Sequence, residues 1–151
     1  MLASVARVLI QNREVNHPDV TSLVRAAEKE LLTRYPDEHI SPVDPLARFV
    51  VAYVMGQPVG CGALVTVAPG VAEVKRMWVR PANRRTGVGK RVLAALERRA
   101  QAEENDTLIL ETGVRQPEAI ALYEEAGFVS IPPFGEYVGN PISVCFEKKL
   151  V

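Results

Sequence analysis

The sequence predicts one mixed α/β domain in which a single sheet of about six or seven strands is covered by helices. Four apolar, β-branched runs precede a glycine-rich turn near residue 87, and helical and strand-like patterns alternate after it. A chain of 151 residues has the size of one common domain, and no repeat, low-complexity tract or linker divides it. We therefore expect residues 1–151 to form one unit.

The first third of the chain predicts a strand, a helix and a loop. Residues 5–10 are an apolar run suited to a first strand. Apolar side chains then recur at helical spacing between Pro18 and Arg34, which predicts an amphipathic helix that covers the sheet. Three prolines and several charged residues lie between Tyr35 and Pro45, so we expect an irregular loop with an acidic bias.

The middle of the chain predicts a hairpin, a central strand and a second helix. Residues 49–55 and 59–67 are strand-like runs separated by a Gly-Gln-Pro turn. The central strand spans Ala72 to Val79, and the glycine-rich turn after it leads into a helix that continues to Ala102. The apolar stripe of that helix comprises Val88, Val92, Leu93, Leu96 and Ala100.

The last third predicts a strand, a helix and two closing strands. Residues 107–111 form an apolar run that indicates a strand. Pro117 suits the first position of the following helix, and Gly127 suits its end. Residues 128–131 and 142–146 then predict the closing strands, joined by a proline-rich loop.

Charge and composition exclude several classes of function. Eighteen basic and eighteen acidic side chains cancel, so nothing electrostatic favours nucleic acid or an anionic membrane as the partner. No segment approaches the roughly 20 apolar residues of a spanning helix, and we expect no signal peptide and a cytoplasmic protein. Cys61 and Cys145 lie in strand-like runs, which favours buried free thiols over a disulfide or a nucleophile. His17 and His39 lack metal-ligand spacing, so we expect no metal.

The glycine-rich turn is a candidate anion site. It lies at a helix N-terminus, where main-chain N–H groups lack partners and the helix dipole is positive. Gly87 and Gly89 allow close approach of the backbone to a ligand, and Arg84, Arg85 and Lys90 add positive charge. The glycine spacing fits neither the P-loop nor the dinucleotide fingerprint. The alternative is an ordinary strand-to-helix turn with a solvated basic face.

Two motifs resemble those of the GNAT superfamily of acetyl-CoA-dependent N-acetyltransferases. Arg84, Gly87 and Gly89 fit the family pattern (Q/R)xxGx(G/A), and the segment from Ala119 to Phe128 resembles the AxxLYxxxGF helix ending. The resemblance implies a mostly antiparallel central sheet flanked by helices. Its element order is strand, helix, an optional second helix, three strands, helix, strand, helix and two strands.

The resemblance also implies acetyl-CoA as co-substrate, without a metal. The main chain at the start of the helix would bind the pyrophosphate, and the end of the central strand would bind the pantetheine arm, with the Met77 N–H polarising the thioester carbonyl. Gln116 replaces an asparagine that many members have. The implied cofactor-binding residues are Met77, Trp78, Val79, Arg84, Arg85, Thr86, Gly87, Val88, Gly89, Lys90 and Gln116.

Two side chains are candidates for proton transfer. Family resemblance places Tyr123 against the thioester sulfur as general acid, and a tyrosine that only packs is the alternative. Glu73 lies four residues before Met77, where some members have a general base. The alternative for Glu73 is a solvent-facing strand residue paired with Lys75 or Arg76.

The acceptor is the least defined part of the prediction. In this fold, two loops border the acceptor side, and their acidic side chains indicate a cationic small-molecule amine, although solvated loop carboxylates explain them equally well. The alternatives are a protein acetyltransferase acting on lysine or an N-terminal amine, and a non-catalytic acyl-CoA sensor. Either a monomer or a homodimer is compatible with the sequence. The residues concerned are Asp37, Glu38, Asp44, Glu136 and Tyr137.

Overall fold

A seven-stranded sheet flanked by three α-helices organises the computed structural model, which describes residues 7–151. The strands are β1 (Val8–Arg13), β2 (Arg48–Val54), β3 (Gln57–Ala68), β4 (Val71–Val79), β5 (Thr107–Gly113), β6 (Val129–Ile131) and β7 (Ser143–Lys149). The helices are α1 (Pro18–Arg34), α2 (Val88–Ala102) and α3 (Pro117–Glu125), with 3-10 turns at Pro81–Asn83 and Gly135–Tyr137.

The sheet is antiparallel except at its centre. The strand order is β1-β2-β3-β4-β5-β7-β6, and β4 and β5 form the parallel pair. Helix α2 provides the crossover that two parallel neighbours require. This arrangement confirms the predicted mixed, mostly antiparallel sheet.

Each face of the sheet has its own apolar core. Helix α1 packs on one face through Val20 and Leu23, while α2 and α3 share the core on the other face. Helix α2 lies very close to β3, because a Cβ atom on Gly62 would meet Met77 Sδ at 2.7 Å and Leu96 Cδ1 at 2.8 Å. Glycine at position 62 therefore sets how deeply α2 packs against the strands that border the site.

Two details differ from the sequence prediction. The optional second helix does not form, because residues 35–47 contain three prolines and run as turns and irregular chain. The first strand begins at Val8, and residues 5 and 6 of the predicted strand lie outside the described residues. Between residues 7 and 151, no helix is long and apolar enough to cross a membrane.

Candidate active site

A gap between the two central strands forms the centre of the candidate site. The parallel ladder begins at the pair Val71 and Thr107 and ends at the pair Val74 and Leu110. Beyond that point β4 continues to Val79 and β5 to Gly113, but the two strands no longer pair with each other. The sheet therefore opens into a wedge whose two edges carry main-chain groups without ladder partners.

An irregularity in β4 directs main-chain donors into this wedge. Arg76 has φ of 60°, and the register with β3 shifts at this point, as in a β-bulge. The Arg80 N–H donates to the Val59 carbonyl of β3 at 2.8 Å. Because successive strand residues direct their N–H groups to opposite edges, Val79 and Met77 direct theirs away from β3 and into the wedge.

The glycine-rich turn presents further donors next to the wedge. Gly87 precedes α2 with φ of 87°, a conformation that favours glycine. The first main-chain bond of the helix runs from the Arg91 N–H to the Gly87 carbonyl at 3.1 Å. Within the described part of the chain, none of the N–H groups of residues 85–90 makes a well-formed hydrogen bond. Six consecutive donors are thus available to an anion.

The side chains of the turn point in different directions. Arg85 and Lys90 are exposed beside the free N–H groups, whereas Val88 is buried in the core under α2. Thr86 Oγ1 donates to the Asn83 carbonyl, which closes the turn on itself. Val88 can therefore contact a ligand through its main chain but not through its side chain.

Arg84 does not face the free donors. Its Nε donates to the Val79 carbonyl at 2.9 Å, and its Nη2 contacts both carboxylate oxygens of Glu30 at 2.9 and 2.7 Å. The guanidinium also lies 5.8 Å from the centre of the Trp78 ring. The positive charge that the sequence assigned to the anion site at this position is thus paired inside the protein.

A cavity of about 760 Å³ opens beside the wedge. Its walls come from α1, residues 38–45, the ends of β4 and β5, the start of α3 and residues 136–142. Met77, Trp78, Gln116 and Tyr123 line it, but the turn at residues 84–90 does not. The apolar stripe predicted for α1 divides accordingly, since its C-terminal members lie in the cavity wall instead of the core.

Tyr123 projects from α3 between the core and the cavity. Its side chain is 5% exposed and packs edge-on against Phe128, with ring centres 5.9 Å apart. Its hydroxyl makes no hydrogen bond within residues 7–151, yet the oxygen is not sealed from the cavity. Burial raises the pKa of this phenol, and the negative charge of Glu111 raises it further. The hydroxyl is therefore a protonated group that a ligand in the cavity can reach.

Two carboxylates, the buried Glu73 of β4 and the half-buried Glu111 of β5, lie close enough to interact. Glu73, which is 7% exposed, accepts a hydrogen bond from the Tyr137 hydroxyl at 3.0 Å, and Lys75 Nζ lies 4.0 Å away. Glu111 accepts a hydrogen bond from Ser143 Oγ at 2.6 Å. Glu111 lines the cavity, whereas Glu73 lies behind the lining.

Both carboxyl groups hold protons more strongly than usual. Burial raises the pKa of Glu73, and Lys75 and the Tyr137 hydrogen bond offset only part of this effect. Burial likewise raises the pKa of Glu111, the Ser143 hydrogen bond opposes it, and the charge of Glu73 adds to the rise. Burial of both groups, together with the charge of Glu73 on Glu111, thus brings their pKa values closer to the range in which a carboxylate accepts a proton from an amine.

Most of the loop residues predicted to border the acceptor line this cavity. Glu38, Asp44, Glu136 and Tyr137 line the cavity, but Asp37 does not. Six carboxylate side chains and three arginine or lysine side chains form part of the lining. The cavity is therefore acidic, and it is accessible to a cationic ligand.

Sequence reasoning missed Glu111 and Glu30. The sequence contained a signal for Glu111. It ends the apolar run of β5, and because alternate strand residues share a face, its carboxylate lies on the same face as Thr107 and Ile109. Nothing local to α1 indicates the partners of Glu30. Cys61 and Cys145 are free buried thiols as predicted, and burial raises the pKa of Cys61 to about 12.

Comparison with known proteins agrees with this geometry. The model of the Acetyltransferase (GNAT) family matches residues 17–128. An IAA acetyltransferase of Azospirillum brasilense is 41% identical over 138 residues, which cover 87% of this chain and 90% of that relative. An uncharacterized N-acetyltransferase of Bacillus subtilis, YsnE, is 32% identical over 139 residues, covering 87% of this chain and 92% of its own.

Solved structures show the same fold. A Klebsiella pneumoniae protein assigned as an acyl-CoA N-acyltransferase has a TM-score of 0.83 at 32% identity, covering 95% of this chain and 98% of that one. A GNAT acetyltransferase of Elizabethkingia anophelis with acetyl-CoA bound has a TM-score of 0.71 at 17% identity, with the same coverage of 95% and 98%. The chain therefore belongs to the GNAT family of acetyltransferases and is an acyltransferase that uses acetyl-CoA.

Proposed function

We propose that this enzyme transfers the acetyl group of acetyl-CoA to the primary amine of a small molecule. The observation behind the proposal is that a carboxylate, Glu111, and a free phenol hydroxyl, Tyr123, line one acidic cavity next to the open edge of β4. Amide formation needs a base for the amine and an acid for the departing thiolate. These two groups match those needs.

The described residues fit acetyl-CoA at two places. The free N–H groups of residues 85–90 suit the pyrophosphate, with Arg85 and Lys90 adding charge at the surface. The open edge of β4, with the N–H groups of Met77 and Val79, suits a linear amide chain and a thioester carbonyl. The co-substrate supplies an acetyl thioester, and Gln116 at the start of α3 lines the same cavity.

The Glu73 and Glu111 pair is our candidate for the base that removes the proton from the ammonium group of the acceptor before the amine attacks. An ordinary carboxylate is a poor base for an amine, but burial raises the pKa of both groups, and the charge of Glu73 raises the pKa of Glu111 further. The two interact, so their titration belongs to the pair. Glu111 is the member that lines the cavity, and Glu73, the predicted base, is tied to Tyr137 and Lys75 behind it.

Tyr123 is our candidate for the acid that donates a proton to the departing thiolate. Its hydroxyl keeps its proton in the ground state because burial and Glu111 raise the pKa of the phenol. A hydrogen bond from this hydroxyl to the sulfur lowers the energy of the developing negative charge, and the proton can then follow.

A small-molecule acceptor is supported by the shape and charge of the cavity. A volume of about 760 Å³ lies within the usual range of small-ligand sites, about 300–1,000 Å³. Four carboxylates of the lining, Glu38, Asp44, Glu111 and Glu136, have no salt-bridge partner within the described residues. Their charge favours an acceptor that enters as an ammonium ion.

The test is release of free thiol from acetyl-CoA in the presence of a panel of acceptors. The panel contains mono- and polyamines, amino acids, lysine peptides and, because a relative is called IAA acetyltransferase, IAA. We expect turnover with cationic small amines above the rate without acceptor. Preference for peptides would assign a protein acetyltransferase, binding without thiol release would assign a sensor, and preference for anionic acceptors would refute the charge argument.

A further inference from the structure

We infer that Glu30 of α1 is a positioning residue for acetyl-CoA, because its carboxylate fixes Arg84 and Trp78 at the point where β4 passes into the glycine-rich turn. Glu30 lies on the helix that forms the wall of the acceptor cavity, 54 residues before Arg84. The inference rests on the proposed binding of acetyl-CoA by residues 85–90.

Three hydrogen bonds converge on this one carboxylate. Arg84 Nη2 donates to Glu30 Oε1 at 2.9 Å and to Oε2 at 2.7 Å, and Trp78 Nε1 donates to Oε2 at 2.9 Å. The side chains of Glu30 and Arg84 are only 29% and 31% exposed. Burial raises the pKa of Glu30, but the Arg84 and Trp78 hydrogen bonds outweigh it and hold the pKa below its ordinary value. The group is therefore a firmly held anion.

Arg84 connects this anion to both parts of the proposed acetyl-CoA site. Its Nε donates to the Val79 carbonyl at the end of β4, and its own main chain begins the turn that contains Arg85 and Gly87. The guanidinium is a planar fork, so fixing its orientation also restricts the backbone from which it extends. Without Glu30 the guanidinium would no longer be held in one orientation, and the distance between the β4 edge and the free N–H groups would no longer be fixed.

The same geometry indicates that Arg84 is not a phosphate ligand. Its Nε and Nη2 groups donate to Val79 and Glu30, and the centre of the Trp78 ring lies 5.8 Å from its guanidinium carbon. The favourable charge near the free N–H groups comes instead from Arg85 and Lys90, which are exposed. An arginine at this position thus acts through its hydrogen-bond geometry and not through its charge.

The experiment measures the dissociation constant for acetyl-CoA by calorimetry, which requires no acceptor. We expect Glu30→Gln to weaken binding about ten-fold, because an amide cannot accept a charge-assisted fork. Arg84→Lys keeps the charge but loses the fork, so we expect a similar loss, whereas a direct phosphate contact would survive in lysine. The double variant should be no weaker than either single variant, since both break one network.

Glu103→Gln is the matched control. Glu103 is also about one-third exposed and also accepts three hydrogen bonds, here two from Arg48 and one from Arg99, but it lies at the far end of α2. We expect this variant to lose thermal stability as Glu30→Gln does and to bind acetyl-CoA as the wild type does. Equal loss of binding in both variants, or no loss in Glu30→Gln, would overturn the inference. Absence of binding in the wild type would instead overturn the proposed function.

Discussion

Glu111→Gln separates the proposed base from the groups that only shape the cavity. The substitution keeps the volume of the side chain and an oxygen that can accept the 2.6 Å hydrogen bond from Ser143 Oγ. It removes the ability to take a proton. Because the charge of Glu73 acts on Glu111, the substitution also removes a half-buried negative charge that this neighbour repels.

The expected loss follows from the role assigned to the carboxylate. A positioned general base contributes about 10²–10⁴-fold to a rate, so we expect kcat to fall at least about 100-fold. That factor corresponds to about 2.7 kcal/mol of transition-state stabilisation. Affinity for acetyl-CoA should not change, because the free N–H groups of residues 85–90 do not contact Glu111.

The assay is initial-rate thiol release over a range of pH, with the best amine of the acceptor panel. In the wild type, kcat/KM should rise with pH as the Glu73 and Glu111 pair loses its proton, and this acidic limb should disappear in Glu111→Gln. Glu73→Gln is the companion variant. It removes a negative neighbour, which lowers the pKa of Glu111 and moves the limb to lower pH.

Two results would refute this reasoning. A rate for Glu111→Gln within a few-fold of the wild type would exclude the carboxylate as base. A larger loss in Glu73→Gln than in Glu111→Gln, with the acidic limb kept in the latter, would assign the base to Glu73 alone.

Three further predictions test the acid, the packing and the charge of the site. Tyr123→Phe should lower kcat, measured by thiol release, about ten-fold or more. Acetyl-CoA affinity by calorimetry and the melting temperature should stay nearly unchanged, because the hydroxyl has no protein partner within residues 7–151. Unchanged turnover would exclude the residue from proton transfer. Gly62→Val should destabilise the fold by about 1–3 kcal/mol in urea unfolding, since its Cβ would already lie 2.8 Å from Leu96 Cδ1 of α2; wild-type stability would mean that α2 can move away. Because the folded-state pKa of Glu111 is raised, its stabilising contribution is present below its unfolded pKa and is lost as pH rises through the folded pKa. Above that range, Glu111→Gln should therefore have a higher melting temperature than the wild type. A gain confined to acidic pH would contradict this prediction.

Local patterns in the sequence predicted the elements and one part of the site. The apolar stripe of α2, the proline at the start of α3 and the glycine near its end place those helices within a residue or two of the structure. The turn before α2 was predicted as a donor-rich helix start, and its N–H groups are free in the described chain. Such features depend on residues a few positions apart, so the sequence contains the information directly.

Local sequence patterns also explain the predicted element that does not form. An optional helix between α1 and β2 came from family resemblance, while the prolines at positions 36, 42 and 45 already favoured irregular chain. The local signal was the better guide in this segment. The family pattern was the better guide to strand order.

The chain by itself determined where helices and strands begin, which helix start lacks partners, and that the thiols are buried, because each of these depends on neighbours within a turn or a strand. Tertiary structure alone decided that Glu73 and Glu111 lie together, that Arg84 pairs with Glu30 instead of facing an anion, and that α1 lines the cavity. Those pairings join residues 38 and 54 positions apart, and they depend on the parallel register of β4 with β5 and on the packing of α1 across the sheet. No periodicity within either segment specifies such contacts, since they form only when distant segments bury a common core.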